Sequence, residues 1–109
     1  MPTAYKVLGQ IAPSATTATT IYTVPSATEA VVSSISVCER GGAAATFRLA
    51  VRPDGATLAN QHYLVYDADL AANDTIILTI GVTMDATDVL EAYASSGDLT
   101  FHAYGSEIS

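Results

Sequence analysis

A chain of 109 residues fits one domain with a single modest core. Half of its residues are hydrophobic and 14% are charged, yet no apolar run nears the roughly 18 residues of a membrane-spanning helix. Eleven acidic side chains against four basic ones give a net charge of −7, which excludes a phosphate-neutralising surface and predicts no direct nucleic-acid binding.

In chain order, "MPTAYKVLGQ" has no basic stretch leading into an apolar one, so no secretory signal is visible and folding in a cytoplasm is expected. The first strand is predicted over Tyr5–Ile11. "APSATTATT", Ala12 to Thr20, is small, β-branched and uncharged. It reads as a connecting loop or, with the residues before it, as an arm (1–20) that orders against a neighbour. Strands follow at Thr19–Val24 and Glu29–Cys38. The latter ends in the only cysteine, Cys38, so no intrachain disulfide can staple the fold.

The next strands are read from a period of two. In "TFRLAVR" (Thr46–Arg52), Phe47, Leu49 and Val51 oppose Arg48, Ala50 and Arg52. Arg48 and Arg52, four apart, share a face, which suits cross-strand salt bridges better than a phosphate clamp. A strand at Gln61–Tyr66 puts Tyr63 and Tyr66 on opposite faces. In "TIILTIGVTM", Ile76, Leu78, Ile80, Val82 and Met84 form the inward row of a strand at Thr75–Val82. Val89–Ser95 and Leu99–Tyr104 complete eight strands, with Leu99, Phe101 and Ala103 inward and Thr100, His102 and Tyr104 outward. Turn residues punctuate them: "VPSATEA", "ERGGAA", "RPDGA", "AAND", "MDATD" and "SSGD". The expected fold is an all-β, antiparallel, jelly-roll-like β-sandwich forming one domain over residues 1–109.

Site chemistry is sparse. Asp67, Asp69, Asn73 and Asp74 resemble a calcium loop, but Ala71 stands where a ligand is needed. Asp74, Asp85 and Asp88 are better read as turn residues that accept backbone N–H groups at the strand ends. His62, His102 and Cys38 lack zinc-ligand spacing. There is no nucleophile elbow and no phosphate-binding glycine loop. No metal, cofactor or catalytic residue is therefore expected, and the chain is read as a non-enzyme.

The pieces "YKVLGQ", "IYTVP", "VRPDGA", "NQHYL" and "YGSEI" lie along nearly the whole chain. In running text it resembles a family of small virion structural proteins of tailed bacteriophages, notably those of aquatic and cyanobacterial hosts. The resemblance implies a virion location, assembly in the host cytoplasm, and the major capsid protein or other virion subunits as partners. It brings no catalytic residues. Acidic charge, repelled by packaged DNA, favours the outside of the head, so the expected role is a capsid decoration (cement) protein, with a homo-oligomer such as a trimer at a subunit junction. The alternatives are a tail, baseplate or fibre-associated protein, and a carbohydrate- or receptor-binding sandwich using Asn60, His62, Tyr63 and Tyr66. The interface candidates are Tyr5, Lys6, Val7 and Leu8 near the N-terminus, Val32, Ser34 and Ser36 (with Cys38) as one small-residue face, and Tyr63 and Tyr66.

Overall fold

A computed structural model describes residues 2–109; Met1 lies outside the described residues. The fold is the expected all-β sandwich, with nine strands in two antiparallel sheets and two short 3-10 turns. The strands are β1 (Thr3–Ile11), β2 (Thr19–Thr23), β3 (Glu29–Glu39), β4 (Ala45–Arg52), β5 (Tyr63–Leu70), β6 (Thr75–Leu78), β7 (Val82–Met84), β8 (Val89–Ala94) and β9 (Leu99–Ile108).

Sheet I runs β1-β9-β3-β6, with β7 also on β3, and sheet II runs β2-β8-β4-β5. β6 and β7 pair with the same strand, offset by one residue, and so form one interrupted strand. Counted that way, only β4 and β5 are sequential neighbours within a sheet. Every other connection crosses the sandwich, which is the double Greek key of a jelly roll. The interruption sits at Gly81, whose φ of +55° turns the backbone away from extended geometry. Ile80 is consequently exposed rather than inward, while Ile76, Leu78 and Val82 pack on the core and Met84 lies within it.

The core is the row of side chains that both inner faces share. Phe47 of β4 meets Phe101 of β9 edge-to-face at 6.1 Å, with Ile35, Val37, Leu49, Leu90 and Leu99 fully buried around them. An offset or tilted aromatic pair of this kind adds about 0.5–1.5 kcal/mol beyond its area. On the β1–β2 side the layers close tightly: a Cβ on Gly9 would lie 2.1 Å from the carbonyl oxygen of Ile21.

Register slips in β1, β3 and β5 alter the period-two reading. At Ser33 the β3 register against β9 slips by one. Val32 is therefore fully buried, whereas Ser34 and Ser36 face outward, so the expected shared face is broken at Val32. In β1 the slip at Leu8 turns that side chain toward the core, which it partly joins. In β5 two slips, with Asp67 at φ +52°, carry the strand on to Leu70. The rings of Tyr63 and Tyr66, expected on opposite faces, instead meet edge-to-face at 4.8 Å. A bulge adds one residue to one strand, which reverses the face of everything beyond it.

The aspartates do the turn work read from the sequence. Asp74 Oδ1 accepts the N–H of Thr75 and Asp85 Oδ1 that of Ala86, while Asp88 accepts the N–H groups of Asp54 and Asp85 on its two oxygens. The buried Glu39 does more: its carboxylate takes the N–H groups of Asn73, Gly41 and Gly42, joining the β3–β4 and β5–β6 turns. Those donors, Asn73 first, hold its pKa below the usual 4.5.

Candidate functional site

The outer faces of the two sheets are unlike. On sheet II the connector 53–62 folds back over the sheet, because Arg52 Nη1 donates to the carbonyls of Gly55 and Ala56 at 3.1 and 2.9 Å. Arg52 also pairs with Glu91 at 2.5 Å, and Ala50 beneath is only 1% exposed although its side chain points outward. Further along, Arg48 is gripped by Asp67 through two N–H donors at 2.6 and 3.3 Å. Its guanidinium lies 4.2 Å from the ring centre of Tyr66 and 4.3 Å from that of Tyr93. The hydrogen bond with Asp67 raises the Arg48 pKa and lowers that of Asp67. This face is occupied by its own side chains.

Sheet I carries no such cover. Register places three outward rows across it: Gln10, His102, Ser36 and Ile77; Val7, Tyr104 and Ser34; and Tyr5, Ser106, Val31 and Thr83. None of these eleven is Asp, Glu, Lys or Arg, in a chain with fifteen such residues. Four of the large exposed apolar side chains stand here: Tyr5 (86% exposed), Ile77 (67%), Val7 (47%) and Tyr104 (37%). His102 Nδ1 lies 2.9 Å from the Tyr104 hydroxyl and 3.4 Å from Gln10 Nε2, so the polar atoms of the rows bond one another.

The bulges shape this surface. The extra residues Leu8 and Ser33 flank β9 on either side of Tyr104, and Ser33 Oγ donates to the Tyr104 carbonyl at 3.1 Å. At Gly105 the strands press so close that a Cβ would lie 1.8 Å from the carbonyl oxygen of Val31. A trough of about 480 Å³ results, open to solvent and walled by Tyr5, Val7, Val31 and Tyr104.

Of the residues singled out in the sequence, Tyr5, Val7, Ser34 and Ser36 share this face. Lys6 also lines the trough, but its ammonium is held by Glu107 at 2.8 Å, and the Tyr22 hydroxyl from sheet II donates to the same carboxylate. Lys6 first, then Tyr22, hold the Glu107 pKa down, while burial and then Glu107 push that of Tyr22 up. The group ties β1 to β2. Leu8 and Val32 belong to the core, and Tyr63 and Tyr66 to sheet II. Their rings stand at 86° to each other and Tyr66 already stacks on Arg48, so they form no flat sugar-stacking platform. Tyr104 and Ile77 join Tyr5 and Val7 on the face of sheet I, both placed outward by strict alternation in "LTFHAYG" and "TIIL". Among the described residues no three His, Cys, Asp or Glu side chains are grouped to hold a metal ion.

The chain matches no protein-family model and no curated protein sequence. Fold and surface together define an acidic jelly-roll sandwich with one sheet face partly covered by its own ion-paired side chains and the other carrying three uncharged, uncovered rows that end at Glu29.

Proposed function

We propose that this chain is a non-enzymatic structural subunit that attaches to a larger assembly through the outer face of sheet I. The observation that carries the reading is the charge-free, aromatic-bearing surface of Tyr5, Val7, Ile77 and Tyr104 on an otherwise acidic chain. Interface centres are depleted in charge and enriched in aromatic side chains, and contiguous apolar patches on monomers mark interaction sites. The particular assembly follows from the sequence resemblance: the outside of a tailed-phage head, as a decoration protein bound to the major capsid protein, with a trimer as the arrangement suited to a subunit junction. A net charge of −7 favours the exterior over the DNA-filled interior.

Cryo-electron microscopy of the virion tests the placement. Density for the sandwich on the head exterior, sheet I inward, is expected. Density confined to the tail or baseplate would move the subunit there, and density with sheet I facing solvent would refute the docking face.

A further inference from the structure

We infer that the partner presents a bipartite surface, an apolar side chain beside a cluster of Lys or Arg, and that a second copy of this chain is not the occupant. The inference rests on the docking reading above and deepens it. The trough walled by Tyr5, Val7 and Tyr104 reaches Val31, and Val31 also borders a second open groove of about 460 Å³. That groove is lined by Glu29, Asp85 and Asp88 together with Met84 and Ile108. Glu29 begins β3 on the outward side, directly where the uncharged rows end. One continuous track thus runs from aromatic to acidic.

Among the described residues the acidic end has no cation of its own. Among the described residues the salt bridges are Lys6–Glu107, Arg48–Asp67 and Arg52–Glu91. Arg40, the fourth basic residue, donates to the Gly97 carbonyl at 3.1 Å. The Glu29 carboxylate has no hydrogen-bond or ion-pair partner among the described residues, its backbone alone being paired in the β3–β9 ladder. Asp85 and Asp88 accept backbone N–H groups only, which fixes the carboxylates without neutralising them. A second copy would bring the same −7 charge and, outside its salt bridges, only Arg40, one cation against the three carboxylates of the groove. A partner with Lys or Arg would be drawn to the acidic end while its apolar side chain fills the trough, and complementary charge would fix orientation and speed encounter.

The probe is a blocked hexapeptide of leucine, phenylalanine and leucine followed by three arginines, titrated into the isotope-labelled full chain by NMR. Shifts are expected at the amides of Val31, Thr83 and Tyr104, and affinity should fall about tenfold between about 0.05 and about 0.5 M NaCl as charge is screened. Peptides with three glutamates in place of the arginines, or three alanines in place of the apolar half, should bind at least about tenfold more weakly. Glu29→Gln and Tyr104→Ala should each weaken binding, and both residues are exposed enough to leave the fold intact. No shift at millimolar peptide, equal binding of the glutamate peptide, or shifts centred on Arg48 would overturn the inference. Concentration-dependent shifts of the same amides without peptide would assign the face to a second copy and overturn it as well. Particle attachment that persists unchanged at high salt would leave the docking reading standing and sink only this one; a chain that never attaches would sink the docking reading itself.

Discussion

Two aromatic residues on β9, three positions apart, should behave as opposites. Phe101 is 0% exposed and packs edge-to-face on Phe47, while Tyr104 points to the other side of the sheet and is 37% exposed. Phe101→Ala removes a ring from a closed core, which costs about 3–5 kcal/mol including the cavity left behind. An unfolding entropy of about 2.1 cal/mol/K per residue over 109 residues amounts to about 0.23 kcal/mol/K. A loss of about 4 kcal/mol should therefore lower Tm by about 17 °C, a large share of the roughly 5–15 kcal/mol a domain holds. Tyr104→Ala deletes a half-exposed side chain whose hydroxyl contacts only His102, and should cost about 1 kcal/mol or less, near 4 °C. Circular-dichroism melts with matched urea titrations read both, and Tyr104→Ala should lose particle attachment although it stays folded. Equal destabilisation by the two substitutions would refute the assignment of inner and outer faces on which the docking surface rests.

Further outcomes follow from other parts of the sandwich. Gly9→Ala should destabilise by about 2 kcal/mol, since its Cβ would meet the Ile21 carbonyl at 2.1 Å and must push β1 from β2; an unchanged urea midpoint would contradict that closure. Ser36→Glu puts a charge amid the uncharged rows and should leave Tm within a few degrees while abolishing attachment. Glu39, Asp67 and Glu107 all have folded pKa values below their unfolded ones, so the unfolded chain takes up protons first. Their contribution is complete above about pH 4.5 and is lost as pH falls through the folded values. Tyr22 is shifted the opposite way, so stability should also decline as pH rises past 10. A Tm profile that is flat down to pH 2 would contradict the carboxylate assignments.

Most strands were legible because alternation survives wherever no bulge intervenes: "TFRLAVR" and "LTFHAYG" give the inner and outer rows of β4 and of β9 as far as Tyr104. The aspartate turns were legible for the same local reason, a side chain accepting its neighbours' N–H groups. What failed was register beyond a bulge. Ser33 carries no mark in "AVVSSISV", since which of two adjacent serines becomes the extra residue is decided by pairing with β9, and the error sent Val32 to the surface. In β5, the acidic "DADL" reads as a loop, yet Asp67 is drawn into the strand by Arg48 and its positive φ absorbs the slip. The continuation of β9 to Ile108 was hidden likewise, because "GSEI" is unremarkable until β1 and β3 pair on either side of it. The docking face was half legible: Tyr5 and Val7 were visible, but the absence of charge along three rows that cross β1, β9, β3 and the interrupted β6–β7 strand is a property of register, which no single segment carries.

Hydroxyl-radical footprinting of the native particle against the isolated chain tests the central claim most directly. Tyr5 and Tyr104 should react readily in the free chain and be protected on the particle, while Tyr66, 59% exposed on sheet II, reacts alike in both. Protection of Tyr66 with Tyr5 and Tyr104 still reactive would contradict the account.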